Sequence, residues 1–273
     1  MSRARVALVL AALLLATLPA VGQAPYRILL TNDDGVRAPG LEALARALAD
    51  VGEVTIVAPA ENQSGKGHSI TITEPVYVDD VTLPSGLAAL GVTATPATCV
   101  KLGVLNLMPV RPDLIVSGIN RGLNVGRVAY VSGTVGAARE GVMQGIPAVA
   151  ASMDVASNWN DYTQAARFTA QVVALVKRTG LPKGVFLNVN VPRGTPKGLR
   201  VATQSLEAGH ETWEERRTPR GRRYFWNEFR EPETDTDGTS DVTAVAQGYV
   251  AVTPLHATEF DRATANRLKG LVK

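Results

Sequence analysis

The sequence predicts an α/β fold of three layers, a mostly parallel sheet flanked by helices, with a projecting arm towards the C-terminal end. Three observations carry this expectation. Short β-rich apolar runs alternate with segments of helical period, the order that gives parallel strands covered on both faces. Hydrophobic residues make up 45% of the 273-residue chain and charged residues 19%, which is enough apolar surface for a large core and excludes a disordered chain. From about Gly198 onward the character changes, and a charged stretch with Trp213, Tyr224, Phe225, Trp226 and Phe229 follows without helical period. It reads as a hairpin or arm spanning about 205–245.

Before the alternation begins, Arg3 and Arg5 precede an apolar run from Val6 to Ala16, and the small residues Gly22 and Ala24 stand with one residue between them. This is the pattern of an export signal, residues 1–24, cleaved near Ala24. The run is shorter than the roughly 20 residues that a spanning helix needs. Residues 25–273 are therefore expected to form a single domain, periplasmic or secreted, with no membrane attachment after cleavage. Loss of the two arginines leaves 26 basic and 25 acidic side chains, a balance that gives no reason to expect a nucleic acid duplex as partner. A single cysteine, Cys99, excludes an intramolecular disulfide and says little about compartment.

In chain order, strands are expected at Arg27–Thr31, Val54–Ala58, Asp113–Ser117, Ala148–Ser152 and Tyr249–Thr253, from short apolar runs rich in β-formers. Helices are expected at Gly40–Ala49, Thr134–Gln144 and Asp161–Arg178. The first has Pro39 at its start and Leu41, Leu44, Ala45 and Leu48 on one face; the last is closed by Gly180. In such sheets ligands bind beyond the carboxyl ends of the strands. Polar clusters follow the first three strands: Asp33-Asp34, then Asn62-Gln63-Ser64-Gly65, then Ser117-Gly118-Ile119-Asn120. With the turn at Ser132-Gly133-Thr134 they would make one site.

Asp33 and Asp34 end an apolar strand, and desolvated carboxylates are stable only when paired, hydrogen-bonded or bound to a cation. A helix cap would use one Asp, so the pair points to a metal. Carboxylate, hydroxyl and amide oxygens are hard donors that favour Mg²⁺, Mn²⁺ or Ca²⁺, and the three histidines have no paired zinc spacing. Ser132-Gly133-Thr134 stands at a helix start, where N–H groups and hydroxyls suit a phosphate. Two familiar phosphate motifs are excluded. Ser64-Gly65-Lys66-Gly67 lacks the earlier glycine and the Ser or Thr of a P-loop, and Asn32 stands where an Asp nucleophile would be needed two residues before Asp34.

The chain resembles the SurE family, the survival-protein E nucleotidases, from Ile28 to about Leu255. The resemblance rests on Ile28-Leu29-Leu30-Thr31-Asn32-Asp33-Asp34-Gly35, Val57-Ala58-Pro59 with Asn62 and Ser64-Gly65, and Pro112 through Asn120. Ser132-Gly133-Thr134-Val135 and Gln247-Gly248-Tyr249-Val250 with Val252 to Leu255 complete it. It implies a Rossmann-like fold and a metal-dependent phosphomonoesterase acting on nucleoside 5′- and 3′-monophosphates, some members also trimming short polyphosphate. It further implies one divalent cation per subunit, Mn²⁺ or Mg²⁺, with ligands at Asp33, Asp34, Ser64 and Asn120. Phosphate contacts would fall around Asn62, Asn124, Ser132, Gly133 and Thr134, and the catalytic carboxylates would be Asp33 and Asp34.

In the resembling family the arm is exchanged between subunits, so a homodimer or homotetramer is expected. Val131 stands where an aromatic is usual, with Tyr130 one earlier; Thr98 stands in place of a common Asp, Ala94 in place of a usual Gly, and Asn227-Glu228-Phe229 where small residues are frequent. Most members are cytoplasmic, the alternative to export here. The residues leave open whether an Asp or a water is the nucleophile. An exopolyphosphatase and a secreted protein that binds nucleotides without turning them over are the competing readings.

Overall fold

The computed structural model describes residues 24–155, 160–207, 209–230, 232, 235–269 and 271. The expected export signal lies outside them, apart from Ala24. In chain order the elements are β1 (Arg27–Thr31), α1 (Pro39–Leu48), β2 (Glu53–Pro59), β3 (Val78–Thr82), β4 (Ala88–Val92) and α2 (Pro96–Leu102). Then come β5 (Leu114–Arg121), a 3₁₀ turn (Gly126–Tyr130), α3 (Gly133–Met143), β6 (Ala148–Met153), α4 (Thr163–Thr179) and β7 (Val185–Val191). The chain continues through β8 (Leu199–Val201), β9 (His210–Arg217), β10 (Arg223–Arg230), α5 (Asp241–Ala246), β11 (Val250–His256) and α6 (Arg262–Lys269).

Nine strands form one sheet in the order β3-β4-β2-β1-β5-β6-β7-β11-β8. The six from β4 to β7 run parallel, while β3 and β11 are antiparallel to their neighbours β4 and β7. Alternating side chains split the core between the two faces of the sheet. Ile28, Leu30, Val116, Val149 and Ala151 pack on one face with Leu41, Leu44 and Leu48 of α1 and Phe168, Val172 and Val176 of α4. Leu29, Ile115, Ala148 and Ala150 pack on the other with Val100 of α2 and Val135 and Ala138 of α3. The helical stripes in the sequence are thus the contact faces, and burial of this apolar area is the main stabilising term.

Several elements had no clear sequence signal. β7 reads Val-Phe-Leu-Asn-Val-Asn-Val, and Asn188 and Asn190 interrupt the apolar run although both are buried. β3 is an exposed edge and β4 is rich in small residues. The arm is a separate two-stranded sheet of β9 and β10 whose residues are all exposed. Among the described residues no helix is long and apolar enough to cross a membrane.

Candidate active site

The parallel strands all end at the same edge of the sheet, and the expected site loops meet there. After β1 the chain turns sharply: the Asn32 side chain donates to the Gly35 carbonyl at 2.9 Å and accepts from the Gly35 N–H at 3.3 Å. This local turn, typical of Asn, directs the two aspartates. Asp33 is 3% exposed. The Thr134 hydroxyl donates to its Oδ1. Burial pushes the Asp33 carboxyl above its ordinary range, opposed by hydrogen bonds from the Thr134 hydroxyl and the backbone N–H groups of Thr134 and Gly133. Gly133 is required here, because a Cβ on it would lie 2.8 Å from both Cβ and Oδ2 of Asp33.

Asp34 accepts from the Arg121 N–H at 3.2 Å, which ties the first loop to the end of β5. Burial first, and the charge of Asp33 second, raise its pKa to about 6. Asn120 lies beyond a register shift between β5 and β6. Its amide N–H donates to the Gly122 carbonyl at 2.8 Å, so its Oδ1 is aimed the other way. The second loop is fastened by the Gln63 N–H donating to the Asp33 carbonyl at 2.7 Å, and within it Asn62 Oδ1 accepts from the Ser64 N–H at 3.0 Å. Asn62 therefore shapes the loop that presents Ser64.

A cavity of about 930 Å³ lies over these strand ends, and Asp33, Ser64, Asn120, Asn124 and Ser132 line it. Asn124 is buried, its Nδ2 donating to Ser152 Oγ at 2.7 Å, while its N–H donates to Asn190 Oδ1 at 2.8 Å. Ser132 caps α3, its Oγ accepting from the Val135 N–H at 3.2 Å. Asp34, Asn62, Gly133 and Thr134 lie close to the lining residues in sequence without lining the cavity themselves; Gly133 and Thr134 are buried, Asp34 is half-buried and Asn62 is exposed. Thr134, expected among the phosphate contacts, is fully buried, and its hydroxyl donates to Asp33 and so supports that carboxylate.

The structure adds residues that the sequence did not assign to the site. Glu140 of α3 is buried and pairs with His68 Nε2 at 2.9 Å and Lys101 Nζ at 3.2 Å, which fixes the far end of the Ser64 loop to α3. Asp241 is fully buried and accepts from the Gly126 and Ser205 N–H groups at 2.9 and 3.0 Å. It holds the 3₁₀ turn whose Arg127, Tyr130 and neighbouring Val131 form a cavity wall. Glu211, Trp213, Asn227 and Phe229 reach the same cavity from the hairpin. Only strand pairing shows that these four share a side, so no local pattern would have found them.

The chemistry of the donors can be tested against a cation. Two carboxylates, the Ser64 hydroxyl and the Asn120 amide oxygen are all hard oxygen donors. Repulsion between adjacent desolvated carboxylates is the condition that a bound cation relieves. Among the described residues no group of three or more His, Cys, Asp or Glu could hold a metal. The set fits an oxygen-seeking ion and not zinc.

Known proteins resemble this chain over most of its length. The family model described as survival protein SurE matches residues 28–213. A 5′-nucleotidase SurE from Symbiobacterium thermophilum is 44% identical over 243 residues, covering 86% of this chain and 94% of the relative. A 5′-nucleotidase SurE from Geotalea daltonii is 44% identical over 238 residues, covering 84% and 92%. The crystal structure of the SurE protein from Aquifex aeolicus superposes with a TM-score of 0.77 at 37% identity, covering 90% of this chain and 99% of that one. From its first strand into its hairpin, the chain belongs to the SurE family.

Proposed function

We propose that the protein is a 5′-nucleotidase, a metal-dependent phosphomonoesterase that hydrolyses nucleoside 5′-monophosphates, and 3′-monophosphates, to nucleoside and phosphate. The observation that carries this is the convergence of Asp33, Ser64 and Asn120 with the helix start at Ser132 in one cavity, in a chain 44% identical to proteins named 5′-nucleotidase SurE. Asp33, Asp34, Ser64 and Asn120 would hold one Mn²⁺ or Mg²⁺. When bound, such an ion supplies Lewis acidity to a phosphoryl oxygen and acidifies water.

The chain's own part is to position. Ser132, at the positive end of the α3 dipole, presents its hydroxyl to the anionic end of the substrate, while the first N–H groups of the helix are held by Asp33 and by Ser132 Oγ. Thr134 and Gly133 fix the Asp33 carboxylate, and Asn62 and Asn124 shape the loops on either side. Phosphate release from AMP tests the reading. Activity should vanish with EDTA and return with Mn²⁺ or Mg²⁺ and without zinc; full activity after exhaustive chelation would refute the metal assignment.

Two further readings belong here. The exposed rings of the hairpin support assembly into a homodimer or homotetramer through its outer face. Export rests on residues 1–24 alone, and N-terminal sequencing of the secreted or periplasmic protein tests it, with Pro25 as the expected first residue.

A further inference from the structure

The hairpin brings to the cavity side chains that phosphate binding does not need. Pairing of β9 with β10 places Trp213 opposite Asn227 and Glu211 opposite Phe229. Because side chains alternate along a strand, these four share one side of the hairpin. All four line the cavity that Asp33 and Ser132 also line, and at about 930 Å³ it has far more room than a phosphoryl group takes. Trp213 is 60% exposed and Phe229 44%, so both rings are open to a planar guest.

The polar pair among them has a defined orientation. Asn227 Nδ2 donates to Glu211 Oε1 at 2.7 Å. A carboxylate only accepts, so the amide nitrogen must face it and the Asn227 carbonyl oxygen is turned away as a fixed acceptor. Beside an aromatic ring, a fixed acceptor recognises an amino group on the edge of a base that stacks on the ring. Resting on the nucleotidase reading, we infer that Trp213 and Asn227 form the base-recognition wall of this site, selecting nucleotides whose base carries an exocyclic amino group. Trp213 stacks on the base, Asn227 accepts from its amino group, and Glu211 positions Asn227.

The test compares AMP with purine riboside 5′-monophosphate, which differs only in lacking the amino group, and uses ribose 5-phosphate as the base-free control. The full-length protein should favour AMP in kcat/KM by about three- to tenfold, the range of one neutral hydrogen bond. Asn227→Leu should bring that ratio close to one, and Glu211→Gln, which frees the amide to rotate, should lower it. Trp213→Ala should weaken both nucleotides relative to ribose 5-phosphate and leave the ratio between them. Kd values for AMP and its analogue, measured by calorimetry in EDTA, read the same ratio without turnover. An equal preference in the unaltered protein, or a ratio that survives in Asn227→Leu, overturns the base wall. Absence of phosphate release from all three esters would instead sink the nucleotidase reading, while the Kd ratio still decides the wall.

Discussion

The Thr134 hydroxyl donates to Oδ1 of Asp33, joining the first turn of α3 to the turn after β1 across 101 residues of chain. Both groups are buried, so the bond is not exchanged for water. Thr134→Val keeps the shape and removes the donor. The expected cost is about 1–3 kcal/mol, the penalty for leaving a buried acceptor short of a partner, together with a higher Mn²⁺ concentration for half-maximal activity. Thr134→Ser should restore most of both. Thermal melts and Mn²⁺ titrations check this; an unchanged Tm in the Val variant would show that the bond contributes nothing.

Gly133→Ala tests the other contact on the same carboxylate. The added methyl would approach Asp33 Cβ and Oδ2 to 2.8 Å, closer than carbon atoms pack, so the carboxylate or the helix start must shift. On the proposed mechanism Asp33 holds the reacting groups, and a misplacement of about 1 Å there costs on the order of 100-fold in rate. Phosphate release should fall by about that factor while circular dichroism stays unaltered. Normal turnover would mean that Asp33 is not held where the reaction needs it.

The elements legible in the sequence are those whose own pattern decides them. β1 matches its expected bounds, and α1 and α4 fall within two residues of theirs, because the apolar stripe of each is its buried face. β7 was missed because Asn188 and Asn190 occupy buried positions, and their role appears only in three dimensions, where both are hydrogen-bonded to the Asn124 backbone. Asp33 and Asp34 could be read as a site, since two charges at a strand end need a reason. That Thr134 supports Asp33, or that Trp213 lies across from Asn227, depends on contacts between distant segments that no local pattern encodes.

The outer face of the hairpin gives a separate test. Tyr224 and Trp226 alternate with the cavity-lining side and are 38% and 59% exposed, large apolar surface that a subunit contact would cover. Deleting residues 213–229, or replacing Tyr224 and Trp226 with Ser, should shift sedimentation towards monomer at micromolar concentration. A protein that is already a clean monomer before any change would end the assembly proposal.

Asp34→Asn separates charge from shape. Its carboxyl pKa is raised to about 6, by burial and then by the charge of Asp33, above the roughly 3.9 of an unfolded chain. Between these values the folded state binds more protons than the unfolded one. Stability of the metal-free protein due to Asp34 is therefore fully present below the unfolded pKa and lost as pH rises through the folded one. At pH 7 without metal, Asp34→Asn should melt no lower than the unaltered protein and should show a flatter pH dependence between about 4 and 6. In excess Mn²⁺ the order should reverse, because a ligand that binds the folded form stabilises it in proportion to its affinity, and the variant has lost one of the two carboxylates. Phosphate release should nearly disappear in the variant. Melts of both proteins from pH 4 to 8, with and without Mn²⁺, beside a phosphate-release assay, check each statement. Near-normal turnover, or equal Mn²⁺-induced shifts in the two proteins, would show that Asp34 only completes the turn after β1 and that the cation is held elsewhere.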